Sequence, residues 1–138
     1  MVRVAPGMVP QALANTVWAY ATLGRAPEAE TWRALEAAAV RVAPGMAPQN
    51  LSNTVWAYAT LGRAPEAGTW EALEAAAVRV APGMVPQNLA NTMWAYATLG
   101  MALEAETWKA LRWRLRRCVL RRAWYRRIYR TRCGHTRR

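Results

Sequence analysis

The chain repeats every 38 residues, almost letter for letter. The block Val4–Arg41 returns as Val42–Arg79 and starts again at Val80, and the match stops at Leu111. The first two blocks differ at five positions: Val9/Ala47, Ala12/Asn50, Ala14/Ser52, Glu30/Gly68 and Arg33/Glu71. A fixed period of this length belongs to arrays whose units stack on their neighbours, because one short unit cannot bury its own apolar face. The expected fold is therefore all-α, a right-handed α-solenoid of stacked helical hairpins. The expected division is residues 1–111 as three hairpin repeats (4–41, 42–79 and an incomplete 80–111), followed by an Arg-rich tail, 112–138.

Each repeat reads as two helices. Helix A is expected from about Pro10 to Leu23, with Pro10 at the first helical position and Gly24 in the left-handed position after the last turn. At 100° per residue Leu13, Val17, Tyr20 and Ala21 form an apolar stripe that Ala14 and Trp18 widen. Gln11, Ala12, Asn15, Ala19 and Thr22 take the opposite arc. Helix B is expected from about Pro27 to Arg41, with Trp32, Leu35 and Ala39 facing inward and Glu28 and Glu30 favouring its positive N-terminal end. Val42-Ala43-Pro44-Gly45 breaks it before the next unit. Leu103 stands where the earlier units have Pro27 and Pro65, which should weaken helix B of the third unit. Three A helices and two complete B helices suggest marginal stability.

The net charge of +11 is unevenly spread. Residues 1–111 carry seven Lys+Arg and eight Glu, a net of −1, whereas residues 112–138 carry twelve Arg and no acid. Cys118, Cys133 and His135 also fall in the tail, in no spacing that suits a metal. The body has no His, Cys or Asp, and Ser52 is the chain's single serine. No catalytic constellation, cofactor, metal or small-molecule substrate is expected, and glutamates such as Glu28 and Glu36 read as solvated surface. No apolar run reaches the roughly 18 residues of a membrane span, and no targeting peptide is visible. Met1-Val2-Arg3 takes the place of Ala39-Val40-Arg41, so the chain reads as a window that opens at the end of a repeat's second helix.

The blocks resemble the octotricopeptide repeats, 38-residue helical-hairpin units abundant in green algae. The likeness is carried by Leu13-Ala14-Asn15-Thr16-Val17-Trp18-Ala19-Tyr20-Ala21-Thr22-Leu23-Gly24, then Pro27 and Trp32, and recurs over Leu51–Gly62 and Leu89–Gly100. It covers about residues 4–111. The chain departs from the family's Pro-rich stretch ending in Glu-Trp by inserting residues between Glu28 and Trp32. The resemblance implies sequence-specific binding of single-stranded RNA in a chloroplast or mitochondrion, acting on transcript stability, processing or translation. The rival reading is a protein-interaction scaffold, which stacked hairpins serve as readily. A third is a non-functional frameshifted remnant.

Modular RNA readers use two or three side chains per unit for each base. If helix A lines the concave face, Asn50, Asn53, Asn88 and Asn91 are the first candidates for RNA contact. Asn15 and the Thr22, Thr60 and Thr98 row lie on the same arc, and Arg25 and Arg63 are candidates for phosphate. The invariant Asn15, Asn53 and Asn91 have a structural alternative, bonding an inter-repeat turn. Trp18, Trp56 and Trp94 border the apolar arc and are expected to pack between hairpins rather than stack on bases. Trp32, Trp70 and Trp108 are expected in the core.

The tail mixes Arg with Trp113, Trp124, Tyr125 and Tyr129, a composition suited to single strands. It also reads as the repeat in another frame. Ala-Leu-Glu written GCG-CTG-GAG and read one nucleotide late gives the Arg-Trp of Arg112-Trp113. Gly-Met-Val gives Ala123-Trp124, and Met-Trp-Ala gives Cys133-Gly134. All 27 tail residues follow from synonymous codon choice, Tyr129 requiring the Leu-Ser seen at Leu51-Ser52. The hypothesis is a frame slip near Leu111. Sequencing the locus through that codon tests it: codons that spell the repeat one frame over are expected, and codons that cannot do so refute it.

Overall fold

A computed structural model of the chain describes residues 5–100 and 103–132, with side chains in the last helix described as far as Val119. Among these residues the structure is all-helical, with six α-helices and no strand. They are α1 (Pro10–Leu23), α2 (Ala29–Val42), α3 (Pro48–Leu61), α4 (Ala67–Val80), α5 (Pro86–Leu99) and α6 (Ala105–Arg132). Short 3-10 turns at Ala5–Gly7, Ala43–Gly45 and Ala81–Gly83 precede α1, α3 and α5.

The odd-numbered helices begin and end where the sequence signals place them. A proline opens each, because its missing N–H costs nothing at the first helical position. Gly24, Gly62 and Gly100 close them with φ of 68°, 67° and 63°, a conformation that a Cβ disfavours. After α1 the N–H of Gly24 donates to Ala21 O at 3.1 Å and that of Arg25 to Tyr20 O at 3.2 Å, which satisfies two end carbonyls.

The even-numbered helices begin two residues later than the sequence suggested. Glu28 is extended (φ −58°, ψ 155°), and the first helical bond runs from Trp32 N–H to Glu28 O at 2.8 Å. Pro27 and Pro65 therefore lie in the turn with buried rings and do not open a helix. Helix α6 keeps the same start at Ala105, with Trp108 N–H bonded to Glu104 O at 3.0 Å. Leu103 in the proline's place leaves the start unmoved, because the residue after it sets the register. The even-numbered helices α2 and α4 end at Val42 and Val80, one residue beyond the expected arginine. Helix α6 has no break at Leu111 and continues to Arg132.

Helices α1, α3 and α5 pack side by side in one layer, and α2, α4 and α6 in a second. Each odd helix also packs on the even helix that follows it. The core lies between the layers, built from Leu13, Val17, Leu35, Leu51, Val55, Tyr58, Leu73, Leu89 and Leu111. Met46 and Met84 plug it from the 3-10 turns. Alanines at the contacts (Ala14, Ala57, Ala59, Ala95) are nearly fully buried, and small contact residues let helix axes approach.

A side-chain staple ties the end of each unit's second helix to the turn that opens the same unit. Arg41 Nη2 donates to Ala5 O at 3.0 Å and Met8 O at 2.8 Å, and Arg79 Nη2 to Ala43 O at 3.2 Å and Met46 O at 2.6 Å. These bonds satisfy turn carbonyls, and a hydrogen bond to a charged donor contributes about 1.5–3 kcal/mol. One period on, the staple would come from Arg117. Arg114 makes it instead, Nε to Met84 O at 2.6 Å, from one turn earlier on α6.

Candidate nucleic-acid interface

Helix α3 is covered by α1 on one side, α5 on the other and α4 beneath. The face left open runs Gln49, Asn53, Trp56, Thr60, spaced i, i+4, i+7, i+11 and therefore one above another along the helix. Gln49 and Thr60 are exposed and Asn53 and Trp56 half-buried, with Asn50 half-buried beside them. The same stripe recurs unchanged as Gln11-Asn15-Trp18-Thr22 on α1 and Gln87-Asn91-Trp94-Thr98 on α5. Because the three helices pack side by side, the stripes lie in parallel across one face.

Trp18 and Trp94, on helices with one neighbour in the layer, are 45% and 48% exposed, whereas Trp56, on the helix with two, is half-buried and packed against the core, so the expected packing between hairpins is met at Trp56 alone. The second tryptophan row is graded. Trp70 is buried and meets the Tyr96 ring edge-on at 4.9 Å; Trp32 is half-buried and meets Tyr58 at 5.1 Å. Trp108, expected in the core, is 47% exposed. One period beyond Tyr96 the sequence has Gly134, so no tyrosine recurs there to cover it.

The candidate residues divide. Asn15 is exposed and Asn53 and Asn91 half-buried. None of the three side chains takes part in a hydrogen bond among the described residues, so the expected bond to an inter-repeat turn is not made. Thr22, Thr60 and Thr98 are exposed, and the Thr22 hydroxyl donates to Trp18 O at 2.9 Å, leaving its oxygen free to accept. Asn50 is engaged: its Oδ1 accepts the Ala47 N–H at 3.0 Å and caps α3, whose N-cap alanine has no side-chain acceptor. Asn88 is half-buried at the equivalent place on α5. Arg25 is exposed in the α1–α2 turn. Arg63 sits 5.3 Å over the Trp32 ring and belongs to the junction of α2 with the α3–α4 turn. There it borders a cleft of about 340 Å³ with Trp32, Arg33, Glu36 and Glu66. Gln11, Gln49 and Gln87 are residues of the open face that the sequence reading did not name as candidates, and Trp18 and Trp94 are exposed beside them. Gln11 already stood on the polar arc, so only the role was missed.

The electrostatics follow the layers. Helices α1, α3 and α5 contain no charged residue, and all eight glutamates lie in the turns after them or on the even helices. The helices of the open face thus carry no carboxylate to repel phosphate, while Arg25 is exposed in the α1–α2 turn and Arg112, Arg116 and Arg117 are exposed on α6. Among the described residues no cluster of His, Cys, Asp and Glu could hold a metal ion, and no helix is long and apolar enough to cross a membrane.

Glu36 is buried, contrary to the solvated surface role its type suggested. Its Oε1 accepts the Glu66 N–H at 2.9 Å across the repeat junction, a partner 30 residues away. Glu74 is likewise buried beside Glu104, with Oε1 left unpartnered. Burial raises both carboxyl pKa values above 4.5, against the lowering effect of the backbone N–H groups. The buried Tyr58 and Tyr96 hydroxyls beside them have no hydrogen-bond partner and are pushed well above the usual phenol range by burial and the carboxylates.

Residues 46–122 match the family model described as the Tbc2 translation factor, N-terminal domain. The chain belongs to this family. The match begins in the turn before α3 and ends inside α6, so it covers the stripes of α3 and α5 with α4 and the first part of α6. Neither curated proteins nor solved structures offer a match to the chain.

The buried glutamates generate a pH test. With native pKa values raised, the folded state holds more protons than the unfolded state from about pH 4.5 up to the native values, so their contribution to stability falls as pH rises through that window. Glu36→Gln and Glu74→Gln keep a carbonyl to accept the backbone N–H. Together they are expected to raise the melting temperature at pH 7.5 and to flatten its decline between pH 5 and 7.5. A double variant whose melting temperature declines in parallel with the parent's would contradict the assignment.

Proposed function

We propose that the chain is a single-stranded RNA-binding module of the octotricopeptide type, serving organellar translation or a related step in transcript handling. In this reading residues 1–111 form a right-handed α-solenoid of three hairpin repeats, with RNA lying along the layer of α1, α3 and α5. The tail, 112–138, is a basic extension, continuous with α6 as far as Arg132, that reads as a fourth repeat in another frame. The observation that carries the proposal is the thrice-repeated outward stripe of Gln, Asn, Trp and Thr on helices without a charge. An indole offers a stacking platform to any base, and amides and hydroxyls offer donors and acceptors to base edges. Membership of a translation-factor family supports the same direction. The module needs no cofactor and catalyses no reaction; its site is the chloroplast or mitochondrion, as the octotricopeptide resemblance implies.

A protein-interaction scaffold is the second reading, favoured by the net charge of −1 over residues 1–111. Segregation of the acids away from α1, α3 and α5 weakens it, because the open face itself is uncharged.

The test uses the full chain at raised salt, where contacts of the Arg-rich tail with phosphate fade while stacking persists. Base stacking on an aromatic contributes about 1–3 kcal/mol. Trp18→Ala and Trp94→Ala are each expected to weaken single-stranded RNA binding by roughly 5- to 150-fold, with the thermal melt little changed because both indoles are half exposed. Unchanged affinity in both variants would contradict the proposal.

A further inference from the structure

We infer that these three repeats select a run of one and the same base at successive positions in RNA. The inference rests on the RNA-binding reading above and concerns what the same face discriminates. A unit that reads one base does so with two or three side chains, and unit-to-unit changes in those side chains are what allow a mixed sequence to be read. Here the four stripe residues are identical in α1, α3 and α5. Their backbone setting is also identical: each helix starts at a proline and ends at a left-handed glycine, with the stripe at the same register. The donors and acceptors offered to three neighbouring bases are therefore the same.

The variable positions of these helices lie off the stripe. Position 14/52/90 turns inward where a neighbour covers it, with Ala14 and Ser52 fully buried. Position 17/55/93 is Val17, Val55 and Met93, all packed on or in the core. Position 12/50/88 is the single variable place on the polar arc, and at α3 its Asn50 side chain is turned back to the Ala47 N–H. Stacking on the indole tolerates every base, so selection falls to Gln and Asn. An amide presents a donor beside an acceptor and can pair with the edge of any base. The sequence of the stripe thus leaves the base itself open and requires it to be the same in all three units.

The measurement is fluorescence anisotropy of the full chain with twelve-nucleotide RNAs at salt high enough to suppress the tail. The probes are oligo-A, oligo-U, oligo-C, a strand with a run of G, and mixed strands in which the preferred base alternates with another. One single-base run is expected to bind about tenfold or more tighter than the other three and than its alternating counterpart. Asn53→Ala is expected to shrink that ratio while Trp56→Ala lowers affinity for all strands alike. Binding that is equal across homopolymers and alternating strands overturns the inference and leaves RNA binding standing. Absence of binding to every strand overturns both.

Discussion

Close side-by-side packing of α1, α3 and α5 is the constraint on which the rest of the molecule depends. Near-complete burial of Ala14, Ala57, Ala59 and Ala95 brings neighbouring helices together, and the even helices close the layer from behind. A helix held on three sides has one stripe left, and in α3 that stripe is Gln49, Asn53, Trp56 and Thr60. Repetition of the sequence then sets three such stripes in parallel. The proposed binding surface is a by-product of how the units bury their other faces.

Three contacts hold the units: the arginine staple to the turn carbonyls within each, and, between neighbours, the edge-on Trp–Tyr pair and the buried glutamate that receives a backbone N–H from the following turn. The third unit keeps only part of this set. The position corresponding to Glu36 and Glu74 is Arg112, which is exposed, and the staple moves to Arg114. Trp108, with no following tyrosine, is left half uncovered. Helix α6 thus has the start of an even helix and the surface of something else, as a sequence that leaves the repeat after Leu111 would produce.

The bounds of the odd helices were legible because proline and left-handed glycine are local signals that need no tertiary context. Helix B was misplaced by two residues for the same reason in reverse. Pro27 resembles a helix start, yet it lies buried in a turn and Glu28 remains extended. The direction of Trp18 was not legible from one helical wheel, since the indole borders the apolar arc and only the neighbouring copies decide which side is covered. Glu36 read as surface because its partner N–H is 30 residues away in sequence. The polar arc itself was read correctly at Asn15, Asn53, Asn91 and the three threonines. What the wheel could not show was that tryptophan joins them.

The most direct measurement of the central claim, that RNA lies along the odd-helix face, is a nitrogen-15 NMR titration of the tryptophan indole N–H groups with single-stranded RNA. The expected result is that the indoles of Trp18, Trp56 and Trp94 shift or broaden together while that of the buried Trp70 stays in place. Shifts concentrated at Trp32 and Trp108 on the even helices, with the Trp18, Trp56 and Trp94 signals unmoved, would contradict it.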